Sequence, residues 1–111
     1  MVKITTEAVE YELFETETYS IKTGCGEMFV SIHFMGDGVS MITASLGKAG
    51  SCPSAHLNTI CDMASKLISC GVPLDEVRRM MSGVSCPNSI ISNGEEVKSC
   101  IDGIAKILGR I

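Results

Sequence analysis

Glu27-Met28-Phe29-Val30-Ser31-Ile32-His33-Phe34-Met35 is followed by Gly36-Asp37-Gly38 and then by Val39-Ser40-Met41-Ile42-Thr43-Ala44-Ser45-Leu46. This stretch decides the fold. Met28, Val30, Ile32 and Phe34 alternate with Phe29, Ser31, His33 and Met35, the period of a strand with one face buried. Gly36-Asp37-Gly38 supplies residues that tolerate the positive φ of a tight turn, and residues 39–46 return as the partner strand. The result is a β-hairpin with one apolar face.

Working outward, Tyr19-Ser20-Ile21-Lys22 also has strand character and stops at Gly24-Cys25-Gly26. Residues 9–14 alternate briefly, with Val9, Tyr11 and Leu13 on one face, and the Glu- and Thr-rich residues 15–18 are expected to form a turn or linker. On the other side, Gly47-Lys48-Ala49-Gly50 breaks the chain. Ser51 or Ser54 can cap a helix whose first turn suits Pro53. Leu57, Ile60, Cys61, Ala64, Leu67 and Ile68 then recur at helical spacing, and Gly71 ends the helix. Pro73 and Asp75 open a second helix with Val77, Met80 and Met81 turned inward, closed by Gly83. Asn93-Gly94 marks a second tight turn between Ile90-Ile91 and Glu96-Val97. Ser99, with Asp102 three residues on, resembles a capping box for a final helix over residues 100–109, which buries Ile101, Ile104, Ala105 and Leu108. The expected architecture is α+β: an antiparallel sheet built on a β-hairpin, covered by two or three helices. Residues 1–18 would be an N-terminal extension or edge strand, and 19–111 the domain proper.

Composition narrows the function. The 111 residues suit one domain, 45% of them hydrophobic, which argues against disorder. A formal net charge of −4 and the absence of Trp disfavour nucleic acid as a partner, because phosphate neutralisation and base stacking supply that affinity. No apolar run is long enough for a membrane span, and the Met1–Glu7 segment does not read as a secretory signal, so a cytoplasmic protein is expected. There is no Gly-x-Ser-x-Gly elbow and no phosphate-binding loop of the Gly-x4-Gly-Lys kind. Glu95-Glu96 reads as a solvated pair.

Six Cys remain to be explained. In a reducing compartment that enrichment points to metal binding or redox work rather than disulfides. Cys25, Cys52, Cys86 and Cys100 all lie at turn or cap signals: Thr23-Gly24-Cys25-Gly26, Gly50-Ser51-Cys52-Pro53, Val84-Ser85-Cys86-Pro87 and Lys98-Ser99-Cys100. Such positions collect at one end of a small domain. A helix N-terminus also favours a thiolate, the form that binds metals. No two of the four form a Cys-x-x-Cys knuckle, so merely structural thiols stay an open reading beside metal ligands and redox pairs. Cys61 and Cys70 read as apolar packing within the helix pattern. His56, four residues after Cys52, reaches the same region or is simply a surface residue. His33 is given no role.

Those same segments resemble the TSCPD domain, found at the C-terminus of adenosylcobalamin-dependent ribonucleotide reductases and in small stand-alone proteins. Lys22-Thr23-Gly24-Cys25-Gly26 resembles the opening of that domain and Gly47-Lys48-Ala49-Gly50-Ser51-Cys52 its Gly-Lys-x-Gly-x-Cys segment. Ser82-Gly83-Val84-Ser85-Cys86-Pro87 is similar to its Gly-x-x-Cys-Pro step. Ser99-Cys100-Ile101-Asp102-Gly103-Ile104-Ala105 is similar to the name-giving Ser-Cys-Pro-Asp-x-Ile-Ala, with Ile101 standing where the motif has Pro. The resemblance implies that Cys25, Cys52, Cys86 and Cys100 are the family's cysteines and that Cys61 and Cys70 are outside the motifs.

It also implies a non-catalytic accessory module, because the radical chemistry of the reductases belongs to a large barrel domain. No cobalamin is expected on this chain. Zinc held by the four thiols is the favoured cofactor, with a ribonucleotide reductase or another redox enzyme as partner. The alternatives are an iron–sulfur scaffold or carrier, a thiol relay delivering electrons to a reductase, and a metal-free interaction domain. The hairpin followed by a Gly-Cys turn and a helix is similar in layout to U-type iron–sulfur scaffold proteins, an analogy of arrangement alone.

Overall fold

The computed structural model describes residues 2–9, 14–36, 38–46, 52–92 and 94–111. Four strands form one antiparallel sheet in sequential order: β1 (Val2–Val9), β2 (Phe14–Thr23), β3 (Gly26–Met35) and β4 (Gly38–Leu46). Helices α1 (Cys52–Ser69) and α2 (Leu74–Met81) follow. A two-stranded hairpin of β5 (Ile90–Ser92) and β6 (Glu95–Val97) leads into α3 (Cys100–Leu108). The fold is the expected α+β arrangement.

The β3–β4 hairpin follows the alternation in the sequence. Met28, Val30, Ile32, Ile42, Ala44 and Leu46 are buried on the face that meets the helices. The ladder slips by one residue between His33 and Phe34, so Phe34 pairs with Val39 while His33 pairs with Met41. Phe34 ends up half-buried beside the core. On the opposite face, Thr16 bonds the His33 ring at 3.0 Å and Thr18 bonds Ser31 at 3.0 Å.

Those threonines correct one expectation. Residues 15–18 do not turn; they lie within β2, paired with residues 31–34 of β3. Glu and Thr alternate there, so neither face is apolar and the strand period is hidden. The β-branched threonines and their cross-strand hydrogen bonds hold the pairing instead. Val9 closes β1 and pairs with Phe14; the strand expected over 9–14 otherwise falls on residues 10–13, outside the described residues. β1 and β4 are the edge strands of the sheet.

The apolar stripe of α1 packs on β4 through buried Leu57, Cys61 and Ala64. Ser65 secures the docking: its hydroxyl accepts the Ile42 N–H at 2.9 Å, and its hydrogen is shared between the carbonyls of Cys61 and Ile42. The helix ends in a Schellman motif, with Val72 N–H donating to Leu67 and Gly71 N–H to Ile68, and Gly71 at φ +96°. Cys70 sits in that turn and is exposed, not packed as its place in the pattern suggests. In α2, Val77 and Met81 are buried but Met80 is 61% exposed, because an eight-residue helix turns only a narrow face to the core. α3 crosses over Ile21 and Met28. Gly103 allows the approach, since a methyl group there would stand 3.1 Å from the Met28 side chain. Ile104 and Ile107 are fully buried beneath it.

Among the described residues no helix is long and apolar enough to cross a membrane.

Candidate functional site

Three of the motif cysteines arrive from three separate parts of the chain. Cys25 sits in the β2–β3 turn, Cys86 in the segment after α2, and Cys100 at the first position of α3. All three line one cavity of about 190 Å³. His56 and Leu57 of α1 form another wall, and Ile60 and Ile101 close the apolar side. Cys25 is exposed at the mouth, Cys86 half-buried, and Cys100 buried. Cys52 opens α1, one helical turn before His56; its side chain lies outside the described residues.

The β2–β3 turn is fixed by two features. Gly24 is pressed against the main chain at Asn88, where any β-carbon would overlap the Asn88 carbonyl. Gly26 takes φ +127°, a conformation that L side chains rarely adopt. The Thr23 hydroxyl is the hub: it accepts the Cys25 N–H at 3.2 Å and lies 2.7 Å from the Gly26 carbonyl and 3.4 Å from the Cys100 sulfur. The hydroxyl donates to the Gly26 carbonyl, and a Cys100 thiol that carries its proton donates to the same oxygen. The Asn88 amide approaches the Cys25 sulfur from the other side at 4.0 Å.

Ser99 and Asp102 fix the other two thiols. Ser99 caps α3, accepting the Asp102 N–H at 3.1 Å and donating to the Val84 carbonyl at 2.5 Å. The Asp102 carboxylate does not complete a capping box by returning to the Ser99 N–H. It accepts N–H bonds from Gly83 at 2.8 Å and Lys98 at 3.0 Å, with the Lys106 ammonium 3.7 Å away. Cys86 N–H in turn donates to the Lys98 carbonyl at 2.9 Å. Segment 83–86 is thereby tied to the start of α3. Sequence reasoning assigned no such role to Thr23, Asn88 or Asp102, whose partners are distant in the chain.

The electrostatics run against one expectation. Cys100 stands at a helix N-terminus, yet its thiol is pushed above the ordinary value, first by burial. The Thr23 hydrogen bond offsets part of this, and the nearby Cys25 and Cys86 sulfurs raise it again. Burial is the largest of these influences. Cys61 is also pushed up, to about 11, by burial and by Asp62. It is buried under α1 and lies apart from the cavity lining.

Among the described residues, no three Cys, His, Asp or Glu side chains are close enough to hold an ion as they stand. The donor chemistry nonetheless fits a thiophilic ion. Three soft sulfurs border one small, mostly apolar space, and His56 of α1 borders it as well.

The family model of the TSCPD domain matches residues 9–111. The chain belongs to the TSCPD family. No curated protein and no solved structure matches it. The family's cysteine motifs thus coincide in this TSCPD domain with the cavity for Cys25, Cys86 and Cys100, while Cys61 and Cys70 lie elsewhere. Ile101 in place of the motif Pro does not prevent α3 from starting, because the Ser99 cap is made by a side chain. The match also supports the resemblance to the C-terminal module of the reductases.

Proposed function

We propose that this TSCPD domain is a small, non-catalytic accessory module that binds a metal ion, zinc in preference, through Cys25, Cys52, Cys86 and Cys100. The observation that carries the reading is the convergence of Cys25, Cys86 and Cys100 on one cavity from three chain segments. Ser99, Asp102 and Thr23 hold those segments in register, and Cys52, the first residue of α1, is the fourth thiol that this reading requires. Tetrahedral thiolate coordination suits zinc and would crosslink the β2–β3 turn, segment 83–86 and the starts of α1 and α3. In a domain this small such a crosslink contributes directly to folding. The setting that fits is the cytoplasm, with a ribonucleotide reductase or another redox enzyme as the partner served.

Elemental analysis of protein purified without oxygen is the test. About one zinc per chain is expected, with a melting temperature that falls when a chelator is added. A brown preparation with visible absorbance would favour an iron–sulfur cluster instead. Metal-free protein whose motif thiols all alkylate readily in the native state would overturn the reading. The exposure difference between Cys25 and Cys100, which share the Thr23 hydroxyl, favours one second reading, a thiol relay. That reading requires a thiol count that changes reversibly with mild oxidant at constant fold.

A further inference from the structure

We infer that His56 is a spare fourth donor for the thiol cavity, exchanging with Cys52 for one coordination position; this rests on the metal-binding reading above. The cavity that gathers Cys25, Cys86 and Cys100 is lined on the α1 side by His56. Cys52 and His56 are separated by four residues on one helix, which sets them on the same face about 6 Å apart along the axis. His56 therefore borders that side, and the helix backbone sets Cys52 on the same face as a donor of different chemistry. The backbone that carries the three thiols is held by the Thr23, Ser99 and Asp102 bonds, whereas His56 is exposed.

Imidazole nitrogen and thiolate sulfur are both ordinary zinc ligands. Four cysteines, or three cysteines and one histidine, each make a tetrahedral set. Zinc also passes readily through five-coordination. A ligand pair one helical turn apart can then trade places without the other three sulfurs letting go. Such a site exchanges one ligand by forming the His56 bond and breaking the Cys52 bond, with the ion still held by the other three sulfurs, which a four-cysteine cage lacking a neighbouring donor does not offer. His56 is exposed where it lines the cavity, so an incoming ligand from a partner would meet the exchangeable corner there.

Cobalt(II), which gives visible spectra sensitive to sulfur and nitrogen ligands, is the probe. It is titrated into reduced, metal-free wild-type chain, Cys52→Ser, His56→Ala and the double variant, with circular dichroism checking the fold of each. Cys52→Ser is expected to keep a tetrahedral spectrum, shifted to shorter wavelength, with the thiolate charge-transfer band reduced by one sulfur's share. Adding His56→Ala to it should then weaken binding by at least about 10- to 100-fold, the loss that even an outer-shell partner produces. If Cys52→Ser loses cobalt outright, or if the double variant matches it in affinity and spectrum, His56 is no donor and the inference falls while four-cysteine binding stands. If the wild-type chain itself takes up no cobalt, the metal-binding reading fails first and this inference with it.

Discussion

Removing the Asp102 carboxylate should loosen the site from its base. Asp102 is 2% exposed, and its two oxygens accept the Gly83 and Lys98 N–H groups at 2.8 and 3.0 Å. A hydrogen bond to a charged group contributes about 1.5–3 kcal/mol, so two set an upper figure of about 6 kcal/mol. Gly83 is exposed, and water can reach its freed N–H, which cuts the cost for that bond. Lys98 is half-buried and the Lys106 ammonium loses its nearest anion, which keeps the rest. For Asp102→Ala we expect a loss of about 3 kcal/mol. Asp102→Asn keeps one acceptor oxygen but turns an amide N–H₂ toward a donor, so it should fall between wild type and Ala. The assay is urea unfolding of reduced, metal-free protein, in which about 3 kcal/mol lowers the midpoint by about 2 M at an m-value of about 1.5 kcal/mol/M. Alkylation of Cys86 under native conditions should speed up in parallel, because segment 83–86 is released. A midpoint for Asp102→Ala within about 0.3 M of wild type, with unchanged Cys86 reactivity, would refute the argument.

Two other perturbations are informative. Gly24→Ala forces a methyl group into the Asn88 carbonyl, main chain against main chain, so the Cys25 turn and the segment after Cys86 must part. We expect a cost of at least about 1–3 kcal/mol in urea unfolding and weaker zinc binding, and equal stability would show that the two turns do not touch. Alkaline pH should destabilise the fold through Cys61. Its folded pKa, about 11, lies above the ordinary thiol value of 9.0, so the native state binds the proton more tightly than the unfolded one. The stabilisation is complete below pH 9.0 and is lost as pH climbs toward 11. At 1.36 kcal/mol per unit, the loss approaches about 2–3 kcal/mol. Cys61→Val should remove that share of the alkaline slope; an identical slope in both proteins would count against it.

The sheet's centre was legible because its burial and its sequence period agree: Met28, Val30 and Ile32 are fully buried and alternate with polar or half-buried neighbours. The α1 stripe was legible for the same reason. β2 was not, since residues 14–18 owe their pairing to Thr16 and Thr18 meeting His33 and Ser31, partners that only the completed sheet supplies. Turn and cap residues marked Cys25, Cys86 and Cys100 as chain-end positions, and the structure brings those three together. The chemistry around them was less visible. The helix-end argument for Cys100 considered local dipoles only, while burial by distant segments sets its proton affinity. Asp102 looked like half of a local cap, and its actual partners come from as far back as Gly83.

The Ser65 contact with Ile42 reaches beyond the docking of one helix. The outermost ribbon at that border has its amide and carbonyl at Ile42 already engaged by a hydroxyl. An incoming polypeptide seeking to lengthen the ladder there would meet a plugged rung at mid-length. Growth by strand addition, whether a swapped dimer or an amyloid-like stack, is thus steered to the opposite border, where Val2–Val9 runs.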